Sequence, residues 1–240
     1  MKRNIDVGTV IDKVFKTYQQ YFVPLIAVAA ILFLIDAVFT FAGTDNWWVS
    51  LIGVVISIII SQLYTGVVVE LVNDTRDGVL DASIGGLFRQ VTPVLGALIG
   101  AAIVAGIAIT VGFVLCIIPG IILLTLWAVV APAIVIERRG VFDALSRSWE
   151  LVKTNFWQTL GVIFIFWIIT LVIGGIVTAI FSSGALIVAV IVGWIVHFLL
   201  APLSALASGI LFFELRAVES GAPEPPAAGP TSTWGAPEAP

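Results

Sequence analysis

Residues 116–127 read CIIPGIILLTLW, and they lie inside a longer run, 90–136, that contains no Asp, Glu, Lys, Arg or His. As one helix at about 1.5 Å per residue, that run would extend roughly 70 Å, against a bilayer hydrocarbon core of about 30 Å. Two helices joined by a tight connection fit instead. Proline has no backbone N–H and glycine accepts positive φ, so Pro119-Gly120 is the expected tip of a transmembrane hairpin.

Composition points the same way for the whole chain. Sixty per cent of the 240 residues are hydrophobic and only 11% are charged, with a mean hydropathy of +1.15. Soluble domains carry about 25% charged residues. The one cysteine, Cys116, leaves no internal disulfide framework and no Cys-rich metal site. No basic patch with interleaved aromatics is present, so no nucleic-acid partner is expected. The start, MKRNIDVGTV, has basic residues but no apolar core followed by a small-residue cleavage site, and no signal peptide is expected there.

Apolar windows of about 20 residues fall at 22–42, 48–69, 93–117, 121–136, 159–180 and 185–213. The connections 43–47, 118–120 and 181–184 are short and hold a single charge, Asp45. All 11 basic residues fall in the other segments: Lys2, Arg3, Lys13, Lys16, then Arg76 and Arg89, then Arg138, Arg139, Arg147 and Lys153, then Arg216. Basic residues mark the cytoplasmic side. The expectation is a cell-membrane protein with six crossings and both termini inside.

The basic segments carry a second pattern. In VFDALSRSWELVKTNFW, Val141, Leu145, Trp149, Val152 and Phe156 share one helical face, with Asp143–Arg147 and Glu150–Lys153 spaced for ion pairs on the other. Val7, Val10, Val14, Tyr18 and Phe22 form a similar stripe, and so do Leu80, Ile84, Leu87, Phe88 and Val91. Each is expected to lie in the interface, apolar face toward lipid, and to lead into a hairpin. The fold expected is an all-α membrane protein of three hairpins, each preceded by an amphipathic interfacial helix, running parallel about an axis along the membrane normal. Small residues four apart, Gly96–Gly100, Ala102–Gly106 and Ala201, Ala205, Gly209, suggest close helix packing. Trp47 and Trp48 at one side, with Tyr21, Trp149 and Trp157 at the other, suit aromatic belts. Residues 1–216 make the membrane domain; 217–240, rich in Pro, Ala and Gly, read as a disordered cytoplasmic tail.

The block IPGIILLTLWAVVAPAIVIERRGVFDALSRSWELVKTNFW resembles the membrane domain associated with some glycerophosphoryl diester phosphodiesterases, a domain that also stands alone in bacterial and archaeal membrane proteins. Its matching features are Pro119, Gly120, Glu137, Ala144, Leu145, Ser148 and Trp149, and VGTVIDKVFKTYQQYFVPLI is similar to that family's first helix. The resemblance implies a fold and no catalytic residues, because phosphodiesterase activity in that family belongs to a separate soluble barrel.

The residues carry no catalytic signature of their own. There is one histidine and no carboxylate–histidine cluster, no GxxxxGK[ST], no HExxH and no GxSxG. The chain is read as a non-enzyme without cofactor or metal. Two ionisable residues fall inside spans, Asp36 and His197. They are either a proton or cation relay, the transporter reading, or polar groups hydrogen-bonded within the bundle. Glu70, Asp74, Asp77, Arg76 and Asp81 read as a solvated acidic loop. Glu137, Arg138 and Arg139 sit at a membrane edge, within reach of lipid phosphates. The first functional expectation is therefore a scaffold or helper acting through the lipid bilayer or through membrane or cytoplasmic protein partners; the alternative is a transporter or permease-like protein using Asp36 and His197.

Overall fold

A computed structural model describes residues 5–42, 47–77, 82–181 and 186–221; Leu80, Asp81 and the tail from 222 onward lie outside them. Among the described residues there are ten α-helices and no strand: α1 (Val7–Gln20), α2 (Phe22–Ala42), α3 (Trp47–Asp74), α4 (Ile84–Val91), α5 (Leu95–Leu115), α6 (Ile117–Leu126), α7 (Val130–Glu137), α8 (Val141–Lys153), α9 (Phe156–Phe181) and α10 (Leu186–Ser220). Five helical stretches are long and apolar enough to cross a membrane, and six when α1 and the start of α2, bent by 78°, are taken together. The chain is an all-α membrane protein. Its last helix runs to Ser220, so residues 217–220 continue the helical domain instead of starting a tail.

Local chemistry starts the short helices. Asp6 caps α1, with the Thr9 N–H donating to Oδ2 at 3.0 Å and the Thr9 hydroxyl at 2.6 Å. Those bonds to the charged form hold the Asp6 carboxyl below the ordinary range. Ser83 caps α4 by accepting from Gly86 N–H.

The expected hairpin tip moves. The turn between α5 and α6 is made by Cys116, whose backbone is extended at φ −169° and ψ 150°. Pro119 and Gly120 lie inside α6. Pro119 takes the third helical position, where a backbone N–H has no intrahelical acceptor, so its ring costs no bond. Gly120 is needed for space, not for positive φ. A Cβ at Gly120 would sit 2.5 Å from the Phe113 ring, and one at Gly112 would sit 3.0 Å from the Gly120 backbone nitrogen. The pair lets α5 and α6 meet backbone to backbone.

The three amphipathic helices are α1, α4 and α8, and their apolar faces do not look into lipid. Val10, Val14, Leu87, Val91, Ala144, Leu145 and Val152 are all buried in the protein. The pattern of partners is cyclic. α1, which precedes the first hairpin, packs on α9 and α10 of the third; α4 packs on α3 of the first; α8 packs on α5, α6 and α7 of the second. Two of these contacts are quasi-equivalent in detail. Gly100, sixth in α5, would place a Cβ 3.0 Å from Val141, first in α8; Gly161, sixth in α9, would place one 3.6 Å from Val7, first in α1. At the third, Gly66 of α3 faces Val91 of α4. Contacts of α10 with α2 and α3 close the ring.

The core gathers at the end that carries the basic residues. Buried positions run from Leu25 to Phe33 on α2, from Ile60 to Val72 on α3 and from Leu203 to Leu215 on α10, whereas Ile107, Val114, Leu171 and Ile176 are exposed along the other half. Tyr21 is buried as well and is no belt residue; Trp47, Trp48, Trp149 and Trp157 are exposed. The expected small-residue pairs are only partly used. Gly209 rests on Val72 and Ala205 is buried, but neither Gly96 nor Gly106 has a neighbour within 4 Å of its Cβ site among the described residues.

Gly112→Ala is expected to lower stability by about 1–3 kcal/mol, because the obstructing atoms are backbone and cannot rotate away. Gly106→Ala should be neutral or slightly stabilising through helix preference. Thermal unfolding of the detergent-solubilised protein compares the two; equal midpoints would remove the claim of close α5–α6 contact.

Candidate functional site

The two intramembrane ionisable residues are not brought together by any described contact. Asp36 on α2 accepts a hydrogen bond from the Ser57 hydroxyl on α3. His197 lies on α10, with its side chain outside the described set. The carboxylate thus has its partner on α3. Among the described residues no group of three or more His, Cys, Asp or Glu is placed to hold a metal ion.

At the basic end, the fourth crossing is interrupted between α6 and α7, and the break creates the need that Ser148 fills. Pro132 has no N–H to offer the carbonyl of Ala128 four residues back. Ser208 of α10 donates its hydroxyl to that oxygen at 2.9 Å. Ser148 of α8 donates to the Leu126 carbonyl at 2.8 Å and accepts from Val129 N–H at 3.3 Å. Ser148 is fully buried, and so are Ala144 and Leu145 to within a few per cent. Free backbone groups in a lipid-embedded protein must find partners inside it, so these serines are structural necessities. The buried face of α8 runs through Ser148, while Trp149, expected on that face, points outward at 44% exposure.

Beyond the break, α7 ends at Arg138, whose left-handed backbone (φ 53°) caps the helix and turns the chain into α8. The Arg138 guanidinium donates to the Gln90 carbonyl at 2.6 Å, tying α7 to α4. The Glu137 carboxylate, 11% exposed, is met by Arg139 at 2.6 Å, by Arg147 at 3.1 Å and, more loosely, by Arg216 at 3.7 Å. Arg147, 13% exposed, also forms a two-pronged pair with Glu219 at 2.6 and 2.7 Å. The Glu219 bond is the largest of the influences that hold its guanidinium protonated well above the usual range. Lys13 of α1 reaches Glu214 of α10 at 2.6 Å. Three guanidinium groups and two carboxylates thus form a clasp over the α7–α8 corner, with one positive charge in excess.

Several expected pairings fail here. Arg147 does not pair with Asp143, because Glu137 and Glu219 on other helices compete for it at closer range. Glu150 and Lys153 form no ion pair among the described residues. Lys13 is half-buried against α10 instead of facing water. Glu70 is buried in α3 and is not part of a solvated loop. Asp74 accepts from Ala82 N–H at 2.9 Å and so shapes the approach to α4. Of the residues that carry the family resemblance, Glu137, Ala144, Leu145 and Ser148 meet at the α7–α8 corner, whereas Pro119 and Gly120 lie at the start of α6. Glu219 and Arg216 were not legible as members of the site: they lie at the end of a helix that sequence reading stops at 213.

An apolar cleft of about 500 Å³ opens between α6, α9 and α10, lined by Leu124, Trp127, Phe166, Trp167, Ser208 and Leu211 among others. Its hydroxyls, Thr170, Ser204 and Ser208, all donate to backbone carbonyls. The cleft therefore offers hydrocarbon surface and no free polar group from those side chains.

No family model, curated protein or solved structure matches the chain.

Ser148→Ala is expected to cost about 1–3 kcal/mol, since it strands a buried carbonyl and N–H at once. Trp149→Ala, which touches the exposed face, should change stability by no more than about 0.5 kcal/mol. Thermal unfolding in detergent reads both; a Ser148→Ala variant as stable as the parent would mean the α6–α7 break is satisfied some other way.

Proposed function

We propose that the chain is a multi-pass membrane scaffold or helper that works without catalysis, through contact with phospholipids at the cytoplasmic rim. The observation that carries this reading is the clasp. Arg139 and Arg216 are each about two-fifths exposed; Arg139 donates its Nε to the buried Glu137 carboxylate, and Arg216 approaches it only to 3.7 Å. The remaining amino groups of both are free donors at a membrane edge, and an arginine fork matches phosphate oxygens. The apolar cleft between α6, α9 and α10 supports the same reading, because hydrocarbon chains are what such a lining favours.

The transporter reading rests on Asp36 and His197. With the Asp36 carboxylate bonded to Ser57, the scaffold reading expects a dry interior.

Two experiments test this. In the full chain reconstituted into nanodiscs of mixed anionic and zwitterionic phospholipid, Arg139→Gln with Arg216→Gln should lower retention of the anionic lipid about tenfold in protein that stays folded; two lost contacts at exposed positions, each worth roughly 0.7 kcal/mol, have that scale. Retention equal to the parent's would overturn the clasp as a phosphate site. In a Cys116→Ala background, single cysteines at 36 or 197 should resist a charged thiol reagent in vesicles of both orientations, while one at the exposed position 16 reacts. Labelling at 197 would move the assignment to transport.

A further inference from the structure

The corner where α8 passes into α9 holds a second, polar pocket of about 410 Å³, lined by Glu150, Lys153, Thr154, Asn155, Leu215 and Glu219 among others. Its volume matches roughly a dozen waters at about 30 Å³ each. Three features make it more than a surface dent. Glu150 and Lys153, one turn apart on α8, leave each other unpaired: neither makes an ion pair among the described residues, although their spacing allows one. Asn155 is 2% exposed, and its carboxamide oxygen has no hydrogen-bond partner among the described residues. A buried acceptor without a donor is costly and native folds rarely keep one. The third is depth. Trp157, two residues on, is 76% exposed, and an outward tryptophan at a helix end sits at headgroup level.

A pocket that presents a free carboxylate and a free ammonium, with an unpartnered amide oxygen buried in its wall, is complementary to a zwitterion with N–H donors. We infer that this pocket binds the headgroup of an amine-bearing phospholipid, its primary ammonium on Glu150 and the Asn155 oxygen and its phosphate on Lys153. The inference rests on the lipid-contact reading above and deepens it by naming the headgroup. Glu219 borders the pocket on one side and is held by Arg147 on the other, so the clasp fixes one wall of the pocket. A quaternary ammonium has the same charge and no N–H, and cannot satisfy Asn155. Selectivity between the two headgroups is therefore the signature.

The test uses the full chain in nanodiscs containing equal phosphatidylethanolamine, phosphatidylcholine and phosphatidylglycerol, followed by extraction in mild detergent and quantitation of retained lipid by mass spectrometry. Phosphatidylethanolamine should be enriched about tenfold over phosphatidylcholine, the scale of one charge-assisted hydrogen bond. Glu150→Gln and Asn155→Leu should flatten that ratio. Lys153→Gln, which acts on the phosphate common to both lipids, should lower both and leave the ratio intact. Glu150 and Lys153 are not core residues, so their variants keep the test sound even if Asn155→Leu fails to fold. Equal retention of the two lipids by the parent protein, or a ratio unmoved by Glu150→Gln, overturns the inference. Binding of soluble phosphoethanolamine in lipid-free micelles, with no enrichment of the lipid, would replace the lipid source by a soluble amine and overturn it too. The Arg139→Gln, Arg216→Gln protein separates the two readings: it should lose phosphatidylglycerol and keep the ethanolamine-to-choline ratio. Loss of either signal alone therefore identifies which reading has failed.

Discussion

Three helices in this chain are too short to cross a bilayer and too apolar on one side to lie in water, and their burial organises everything else. At about 1.5 Å per residue, α1 and α8 span roughly 20 Å and α4 roughly 12 Å, each well short of a ~30 Å hydrocarbon core. A helix of that kind can lie on the membrane surface or bury its face against protein. This chain takes the second course, and each helix covers chiefly a neighbouring hairpin, with α8 also touching α10 of its own. No hairpin is then complete without the next one around the ring. Removing any one amphipathic helix would expose a packed face on another unit, so the three pairs of crossings are bound to one another at the basic end.

The uneven distribution of core follows from the same constraint. Near the basic end, every crossing has a short helix as well as its transmembrane neighbours to pack on, and side chains there reach full burial. Toward the opposite end the crossings have only one another and lipid. Lipid tails are as apolar as leucine, so there is no hydrophobic gain in closing that half. Polar backbone groups behave differently, since lipid offers them nothing. The interruption between α6 and α7 is placed where α8 and α10 can supply hydroxyls to it, and Ser148 and Ser208 serve as substitutes for the N–H that Pro132 lacks and for the broken ladder beside it. Ser148 is thus explained by packing and hydrogen bonding.

How much of this was legible in the residues depends on what kind of information each feature needs. Hydropathy and helical period are local, so the crossings, the basic face and the stripes of α1, α4 and α8 could be read directly. Which surface each stripe meets is not local. Val10 and Val14 look the same to a periodicity argument whether they face lipid or α10. Pro119-Gly120 was misplaced for a related reason. Both residues suit a turn, yet proline is equally at ease in the first turn of a helix and glycine is equally useful where two backbones touch; only the partner, Gly112, decides between these uses. Ion pairs failed in the same way. Asp143 is one turn from Arg147 in the chain, but Glu137 and Glu219 arrive from other helices with better geometry. Within α8 the helical period alone misplaces Trp149, since a small polar residue beside it, Ser148, takes the buried face.

The clasp and the polar pocket meet in one side chain, and that sharing constrains what the rim can do. Glu219 gives both carboxylate oxygens to Arg147, and Arg147 gives its Nε to Glu137. The Glu137 carboxylate in turn receives Arg139 and Arg216. A phosphate bound by the free amino groups of Arg139 or Arg216 would draw those guanidinium groups away from Glu137 and leave that carboxylate leaning more heavily on Arg147. Arg147 would then hold Glu219 less firmly, because one guanidinium divides its donors between two carboxylates. On the proposed lipid reading, occupation of the clasp would be linked to the position of a pocket wall through this chain of charged contacts, which run from 2.6 Å at Glu219 to 3.7 Å at Arg216. Exposed ion pairs contribute little in water, but Arg147 and Glu137 are mostly buried, and removing a partner from such a pair costs more than the pair contributes. A change at one carboxylate of the rim is for that reason felt at the other, which is what the proposed contact with phospholipid headgroups would act on.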